Sequence, residues 1–315
     1  MGIDPDTQQW LQHLLGQNVR WNEPMRRHTS FRVGGPADAL ARPLDIKTLA
    51  RLVRGARDRR LPFWVIGDGT NLLVRDGGIR GLVIVLAGGF REIARLGETP
   101  DGIRISAGAG TRLQGLCRYA LEKGLAGMNF SLGTPGTVGG AIQMNAGTKL
   151  GWMSDVLRQL RVLQPDGTEK VLHRRELDFS YRTLTWKDAH LEGLSHPIIL
   201  EGSVSLTPAD PTALKREATD ILADRRSRQP MHLPSAGCFF KNPPGEEPAG
   251  RLIEAAGMKG TRIGGAEVST RHANYIVNRE KASATDILSL MERIQEAVRD
   301  KFAVDLEPEV HILGS

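Results

Sequence analysis

The chain has 315 residues, with 42 Lys and Arg against 36 Asp and Glu for a formal net charge of +6, and at ~100–200 residues per domain this length suggests two domains or three small ones. Apolar residues make up 40% and charged residues 25%, which excludes a disordered chain; the two cysteines, Cys117 and Cys238, exclude a disulfide framework and a four-cysteine zinc site. The basic residues are scattered rather than striped, so nucleic-acid binding is not expected, and no apolar run approaches the ~20 residues of a membrane span. The first residues, Met1-Gly2-Ile3-Asp4, have neither a basic nor an apolar leader, so a cytoplasmic location with reduced thiols is expected.

In chain order, residues 7–15 read as a short helix capped by Thr7. Residues 45–60 read as a longer one, with Ile46, Leu49, Leu52 and Val53 on one face and Pro62 as its stop. Phe63–Ile66 is a buried strand that runs directly into a glycine loop, and Leu82–Leu86 is a second apolar strand. Ile103–Ala107 alternates as a strand does, and Thr111 is placed to cap a helix reaching Lys123, with Gly124 ending it. After a glycine-rich loop at 133–147, Leu157–Leu163 and Glu169–His173 flank Pro165-Asp166-Gly167 as a hairpin. Ile198–Leu206 is another strand, followed by helices near 212–227, 248–257 and 284–302 and a last strand at Glu309–Leu313. The mixture is α+β without regular βαβ alternation. The expected divisions are 1–82, 83–206 and 207–315.

Glycine is the compositional outlier, and nineteen of the 36 glycines lie between Gly67 and Gly147. Two loops concentrate them. One is Ile66-Gly67-Asp68-Gly69-Thr70-Asn71-Leu72. The other is Gly133-Thr134-Pro135-Gly136-Thr137-Val138-Gly139-Gly140-Ala141, continuing to Asn145-Ala146-Gly147. Glycine lets successive N–H groups turn into one concavity, and threonine hydroxyls add donors, which is how main chain holds a diphosphate with few cations. Neither loop is a P-loop or a Gly-x-Gly-x-x-Gly fingerprint; a pair of tight turns is the alternative.

These loops resemble the two FAD-diphosphate loops of the UDP-N-acetylenolpyruvoylglucosamine reductase family. The resemblance covers nearly the whole chain, because His28–Asp38, Phe179-Ser180-Tyr181-Arg182, Ala236–Pro243, Arg262–Ser269 and Glu307-Pro308-Glu309-Val310 follow in family order. The short length resembles the family's compact subgroup. The resemblance implies an α+β fold: a two-subdomain FAD-binding module of the vanillyl-alcohol-oxidase-like type, with a C-terminal α+β substrate domain to which the last strand need not belong. It implies non-covalent FAD, held by the two loops. It also implies NADPH as co-substrate and hydride delivery to an enolpyruvyl ether of a UDP-sugar, giving UDP-N-acetylmuramate for peptidoglycan synthesis. A monomer is expected. Another FAD-dependent sugar or lactone oxidoreductase, or a UDP-sugar-binding protein without chemistry, remain alternatives.

Arg182 matches the family's catalytic arginine, whose permanently charged fork suits a carboxylate; Thr183 follows where the family often has Asp. Glu309 matches a catalytic glutamate whose role needs a raised pKa. Cys238 stands where the family commonly has a proton-donating serine. An ordinary thiol with a pKa of ~8.5 is ~97% protonated at pH 7, so it serves as a general acid. Lys241, Asn242 and Arg228 resemble contacts to the UDP moiety, and Tyr181 reads either as packing on a ring or as a core residue. Cys117 reads as a small buried hydrophobe, His28 and His272 as structural, and the eight histidines show no metal-ligand spacing.

Overall fold

The first helix, α1 (Pro5–Leu15), begins at Asp4, whose carboxylate accepts the Thr7 N–H at 3.0 Å. Asp4 is therefore the cap, not Thr7, because Pro5 tolerates the first helical position, where no N–H is needed. The structure, a computed structural model, describes residues 2–186, 197–245 and 247–315. Next come β1 (Val19–Pro24), β2 (Pro36–Ala41), α2 (Ile46–Asp58), β3 (Phe63–Ile66), β4 (Leu72–Val74) and β5 (Ile79–Val85). Four of these strands form a sheet in the order β1-β2-β5-β3, in which β5 is parallel to both β2 and β3. One crossover, β2-α2-β3, thus builds a parallel core where no regular alternation was visible. β5 runs through residue 82, so the expected division there falls inside a strand.

The second sheet is antiparallel and larger. The elements of this part of the chain are β6 (Ile93–Thr99), β7 (Gly102–Gly108), α3 (Leu113–Glu122), β8 (Leu125–Ala126), α4 (Val138–Gln143), β9 (Gly147–Thr148), β10 (Gly151–Trp152) and α5 (Met153–Val156), then β11 (Leu157–Leu163), β12 (Glu169–His173), β13 (Leu177–Ser180), β14 (Thr183–Trp186) and β15 (Ile198–Pro208), with β9–β10 and β13–β14 as separate two-stranded pairs. The order is β12-β11-β15-β7-β6, with β8 on the far end of β15. α3 starts after Arg112, and the Thr111 hydroxyl turns to the Glu92 carbonyl at 3.5 Å instead of capping it. The predicted Gly124 stop holds, at φ 64°. A large apolar core lies between the two sheets, formed by Leu49 and Leu52 of α2, Leu82 and Ile84 of β5, Leu113 and Leu116 of α3, and Leu157 and Leu160 of β11. Cys117 is buried in it, its sulfur 3.0 Å from the Ser131 hydroxyl.

The last third carries α6 (Pro211–Arg228), α7 (Ala249–Ala255), β16 (Arg262–Ile263), β17 (Ala266–Val268), β18 (Ile276–Asn278), α8 (Ala284–Phe302) and β19 (His311–Leu313). Ile287, Leu290, Ile294 and Val298 of α8 face a second core with Phe239, Phe240 and Ile253, into which Phe31 and Leu73 reach from the N-terminal third. Two ties fix this unit to the first sheet region. β19 runs parallel beside β4, Ile312 opposite Leu73. Asp76 caps α8, accepting the Ala284 and Thr285 N–H groups at 2.9 Å each. The chain end is thereby delivered to the first glycine loop.

Candidate active site

The two glycine loops face each other. A Cβ on Gly67 would run into the Thr137 side chain, and one on Gly136 would lie 2.9 Å from the Thr70 hydroxyl. Thr70 donates to the Pro135 carbonyl at 3.5 Å. Gly69 has φ 62°, and a side chain there would strike the His28 carbonyl; Gly133 and Gly136 also have positive φ. Only glycine fills such positions without strain. The facing surface is therefore main chain and hydroxyls. The loop's own carboxylate, Asp68, lies 3.9 Å from Arg112. This surface suits the diphosphate of FAD, which needs N–H and O–H donors rather than bulk.

Not every loop residue presents its side chain to that cradle. Leu72 and Ala141 are core residues. Gly139 lets α4 pack against Ala109, and Gly140 donates its N–H to the Thr137 hydroxyl at 3.3 Å. The two asparagines reach away from the cradle. Asn71 donates to the Glu309 carbonyl at 3.0 Å and its own carbonyl accepts the His311 N–H. Asn145, at φ 39°, donates to the Ser180 carbonyl at 3.1 Å and accepts the Ser154 N–H. Each thus ties a glycine loop to a segment carrying a predicted catalytic residue.

Arg182 sits in the two-residue turn between β13 and β14, with φ 59°. Holding a non-glycine residue in the left-handed region costs ~1–3 kcal/mol, and such residues cluster at functional sites. Its guanidinium lies 2.8 Å from the Glu309 carboxylate and donates to the Gly147 carbonyl at 3.0 Å. The rings of Trp152 and Tyr181 lie 5.5 and 5.2 Å away, close enough for cation–π attraction. These partners orient Arg182 with Thr183 in the following position. Tyr181 packs edge-on to Trp152 and stays partly exposed.

Cys238 reaches the same place by a different route. Phe239 and Phe240 are fully buried and stack near each other at 5.2 Å, anchoring the segment in the second core. Phe239 donates its N–H to the Asn274 carbonyl at 2.7 Å and accepts the Glu309 N–H at 2.8 Å. An antiparallel bridge pairs Phe240 with Pro308. Cys238 and Glu309 are thus near one another in the chain's pairing because their segments are bridged.

Burial pushes the Cys238 thiol up to about 11, with the Glu309 carboxylate adding to the shift and Arg182, Tyr275 and Arg225 opposing it. Burial also raises Glu309 above the ordinary carboxylate value, against the pull of Arg182 and Lys241. The result is an Arg182–Glu309 ion pair beside the segment carrying a thiol that keeps its proton, which is an arrangement able to bind an anion and give a proton.

The remaining predicted residues are placed as follows. Lys241 pairs with Glu307 at 3.1 Å. Asn242 accepts the Ala249 N–H at 3.1 Å, so its side chain oxygen serves the start of α7. Arg228 is exposed and pairs with Asp224 along α6 at 2.7 Å. One turn earlier, Arg225 is the α6 cation that reaches the second glycine loop, donating to the Thr134 hydroxyl at 3.3 Å. Arg225 was not singled out in the sequence. Tyr275 and Asn274 were not singled out either. The only local signal was a polar pair entering the apolar strand Ile276–Asn278. Among the described residues no group of three or more His, Cys, Asp or Glu is placed to hold a metal ion, and no described helix is long and apolar enough to cross a membrane.

Known proteins carry the same two parts. Residues 37–173 match an FAD binding domain, and residues 229–313 match the C-terminal domain of UDP-N-acetylenolpyruvoylglucosamine reductase. The chain is 45% identical over 312 residues to a UDP-N-acetylenolpyruvoylglucosamine reductase of Desulfosudis oleivorans, covering 99% of this chain and all of the relative. It is 45% identical to one of Moorella thermoacetica, covering 96% of each. The crystal structure of the reductase from Thermus caldophilus superposes with a TM-score of 0.77 at 36% identity, covering 92% of this chain and 97% of that one. With the glycine cradle and the Arg182–Glu309–Cys238 cluster in place, the chain belongs to the UDP-N-acetylenolpyruvoylglucosamine reductase family, and it is an FAD-dependent oxidoreductase.

Proposed function

We propose that this chain reduces the enolpyruvyl ether of UDP-N-acetylglucosamine to UDP-N-acetylmuramate, with NADPH as the reductant, in peptidoglycan precursor synthesis. The observation that carries the reading is the convergence of Arg182, Glu309 and Cys238 from three separate segments. When bound, FAD supplies the hydride-transfer chemistry. The chain's own residues do the rest. The Arg182 charge binds the substrate carboxylate and draws electron density toward it as the double bond is reduced. Cys238 gives its thiol proton to the carbon bearing that carboxylate. Glu309 fixes Arg182 in its strained turn, and its raised pKa lets the carboxyl share a proton with an incoming anion. Lys241 and Arg225 form the cationic wall for the UDP diphosphate. In this reading 207–315 carries the substrate side, the two preceding segments hold FAD, and the enzyme works as a cytoplasmic monomer.

The test separates the two half-reactions. In Cys238→Ala, NADPH still bleaches the flavin, while reoxidation by the enolpyruvyl substrate collapses. Cys238→Ser restores most of it, since either group can donate. Product formation by Cys238→Ala at the parent rate would overturn the assignment of the donor. Flavin reoxidation by oxygen alone, with no response to the enolpyruvyl sugar, would overturn the substrate.

A further inference from the structure

Gly147 ends the second glycine loop in the sequence, where a contact to the diphosphate is the natural expectation. The fold gives it a different neighbour. Gly147 and Trp152 stand directly opposite each other in the antiparallel pair β9–β10. A Cβ on Gly147 would run into the indole of Trp152 and the Gly151 carbonyl. The φ of Gly147 is not in the left-handed region, so the missing side chain provides space rather than backbone freedom. The indole occupies that space. Its own main chain is held on both sides: the Trp152 N–H donates to the Asp155 carboxylate at 2.8 Å, and the Met153 N–H donates to the Ala146 carbonyl at 2.9 Å.

Arg182 meets the same pair from the facing turn. Its Nη1 donates to the Gly147 carbonyl at 3.0 Å, and its Cζ lies 5.5 Å from the centre of the Trp152 ring. One glycine thus makes room for the ring and accepts the guanidinium. The tie from Asn145 to the Ser180 carbonyl at 3.1 Å runs alongside, two residues earlier on each segment. The Tyr181 ring stands edge-on to the indole at 5.9 Å and closes the turn. A residue at φ 59°, as Arg182 is, persists in that conformation only where its surroundings over-determine it. A long arginine side chain also carries ~2 kcal/mol of rotamer entropy, so a charge that must stay in one place needs walls as well as a partner.

We propose that Trp152 is a positioning residue for Arg182: its indole, seated on Gly147, gives the guanidinium an aromatic wall beside the carbonyl that receives it, and so holds the charge where the substrate carboxylate binds. The inference rests on the reading of Arg182 as the group that binds that carboxylate. The indole acts through Arg182 and through no reacting atom. Gly147 then belongs to the seat of the arginine rather than to the FAD cradle.

A cation held over an aromatic face contributes about 2- to 30-fold in rate when its loss is felt at the transition state. Trp152→Leu keeps an apolar side chain and removes the aromatic face, while Trp152→Phe keeps a face. In the FAD-loaded Trp152→Leu enzyme, flavin reoxidation by the enolpyruvyl sugar is expected to fall about tenfold, and in Trp152→Phe to stay within about threefold of the parent. The Kd for FAD stays within about twofold in both, because the cradle's main chain is untouched. A loss in Trp152→Leu no larger than that in Trp152→Phe, or a rise in the FAD Kd that matches the loss, would overturn the inference. The decisive readout is coupling. In the Arg182→Ala background, Trp152→Leu costs less than about twofold further. Equal losses in the parent and Arg182→Ala backgrounds would show a merely structural tryptophan and overturn the inference as well. If Arg182→Ala collapses reoxidation and Trp152→Leu does not lower it, this inference fails alone; if Arg182→Ala leaves reoxidation unchanged, the reading of Arg182 fails and takes this inference with it.

Discussion

The glycine cradle and the Cys238 cluster lie side by side, joined through Asn71 and Asn145, yet they are built from opposite materials. The cradle is main chain, shaped by glycines at positive φ and by close contact between Gly67 and Thr137 and between Thr70 and Pro135. Its capacity for a diphosphate is carried by backbone geometry, and a local run of residues is enough to write it. The cluster is side chains: Arg182 from a turn in one sheet region, Cys238 and Glu309 from paired segments at the edge of the second core. Its chemistry depends on charge, burial and pKa, which appear only when the segments meet. The cradle should therefore be sensitive to added atoms and the cluster to removed ones.

The largest effect tests the cluster. Arg182→Ala removes the cation proposed to bind the substrate carboxylate and leaves the Glu309 carboxyl without its 2.8 Å partner. Loss of one charge-stabilising donor costs ~10²–10³-fold. Flavin reoxidation by substrate should fall by that factor while the purified protein keeps its flavin absorbance. Loss of the flavin in Arg182→Ala would mean that cradle and cluster are one construction.

Gly69→Ala is the mirror experiment. The position has φ 62°, and the new Cβ would meet the His28 carbonyl, which is backbone and has little room to give. A non-glycine residue in this region costs ~1–3 kcal/mol, so the Kd for FAD should rise by about 10- to 100-fold. Titrating the apoprotein and following flavin fluorescence measures it. With FAD saturating, the reoxidation rate should return to near the parent value. A rate that stays low at saturation would merge the two regions.

These contrasts also explain what the sequence disclosed. The glycine loops, the strand Phe63–Ile66 before them, and α2 and α8 were legible because each is written within one stretch of chain. The edge strand β6 was not, since Ile93–Thr99 exposes Ala94, Arg95, Leu96 and Glu98 and buries no residue fully, so it shows no apolar face of its own. Arg182, Cys238 and Glu309 were legible only through resemblance, because nothing local to any one of them predicts the other two. On α6 the sequence pointed to Arg228, whereas Arg225 is the one that meets the second glycine loop, and the duties of Asn242 and Asn71 appear only in their tertiary neighbours. The polar side chain that looked ligand-facing in the loop was needed to hold another segment.

A smaller effect probes the joint itself. Asn71 belongs to the first glycine loop by sequence, but its amide supports the Glu309 carbonyl at 3.0 Å. Asn71→Ala removes a bond worth ~1 kcal/mol, so reoxidation by substrate should fall about fivefold, with a change in FAD affinity no larger than that. An effect confined to FAD affinity would return Asn71 wholly to the cradle.

The smallest expected effect is a flat pH profile, and it follows from the cluster's burial. The proposed donation by Cys238 needs the protonated thiol. A thiol with the ordinary pKa of ~8.5 would be only about one-quarter protonated at pH 9, and the substrate half-reaction would fall in proportion between pH 7 and 9. Burial and the Glu309 charge push this thiol up to about 11. The sign is then clear: the active form is fully present below the raised pKa and is lost only as the pH climbs through about 11. Single-turnover reoxidation should therefore change by less than about twofold from pH 7 to 9 on account of Cys238. Cys238→Ser should give a superimposable profile in that window at a different absolute rate, because an alcohol does not ionise there. A fall to one-quarter in the parent, absent in the serine variant, would place the thiol in contact with solvent and remove burial from the account of how this cluster keeps its proton.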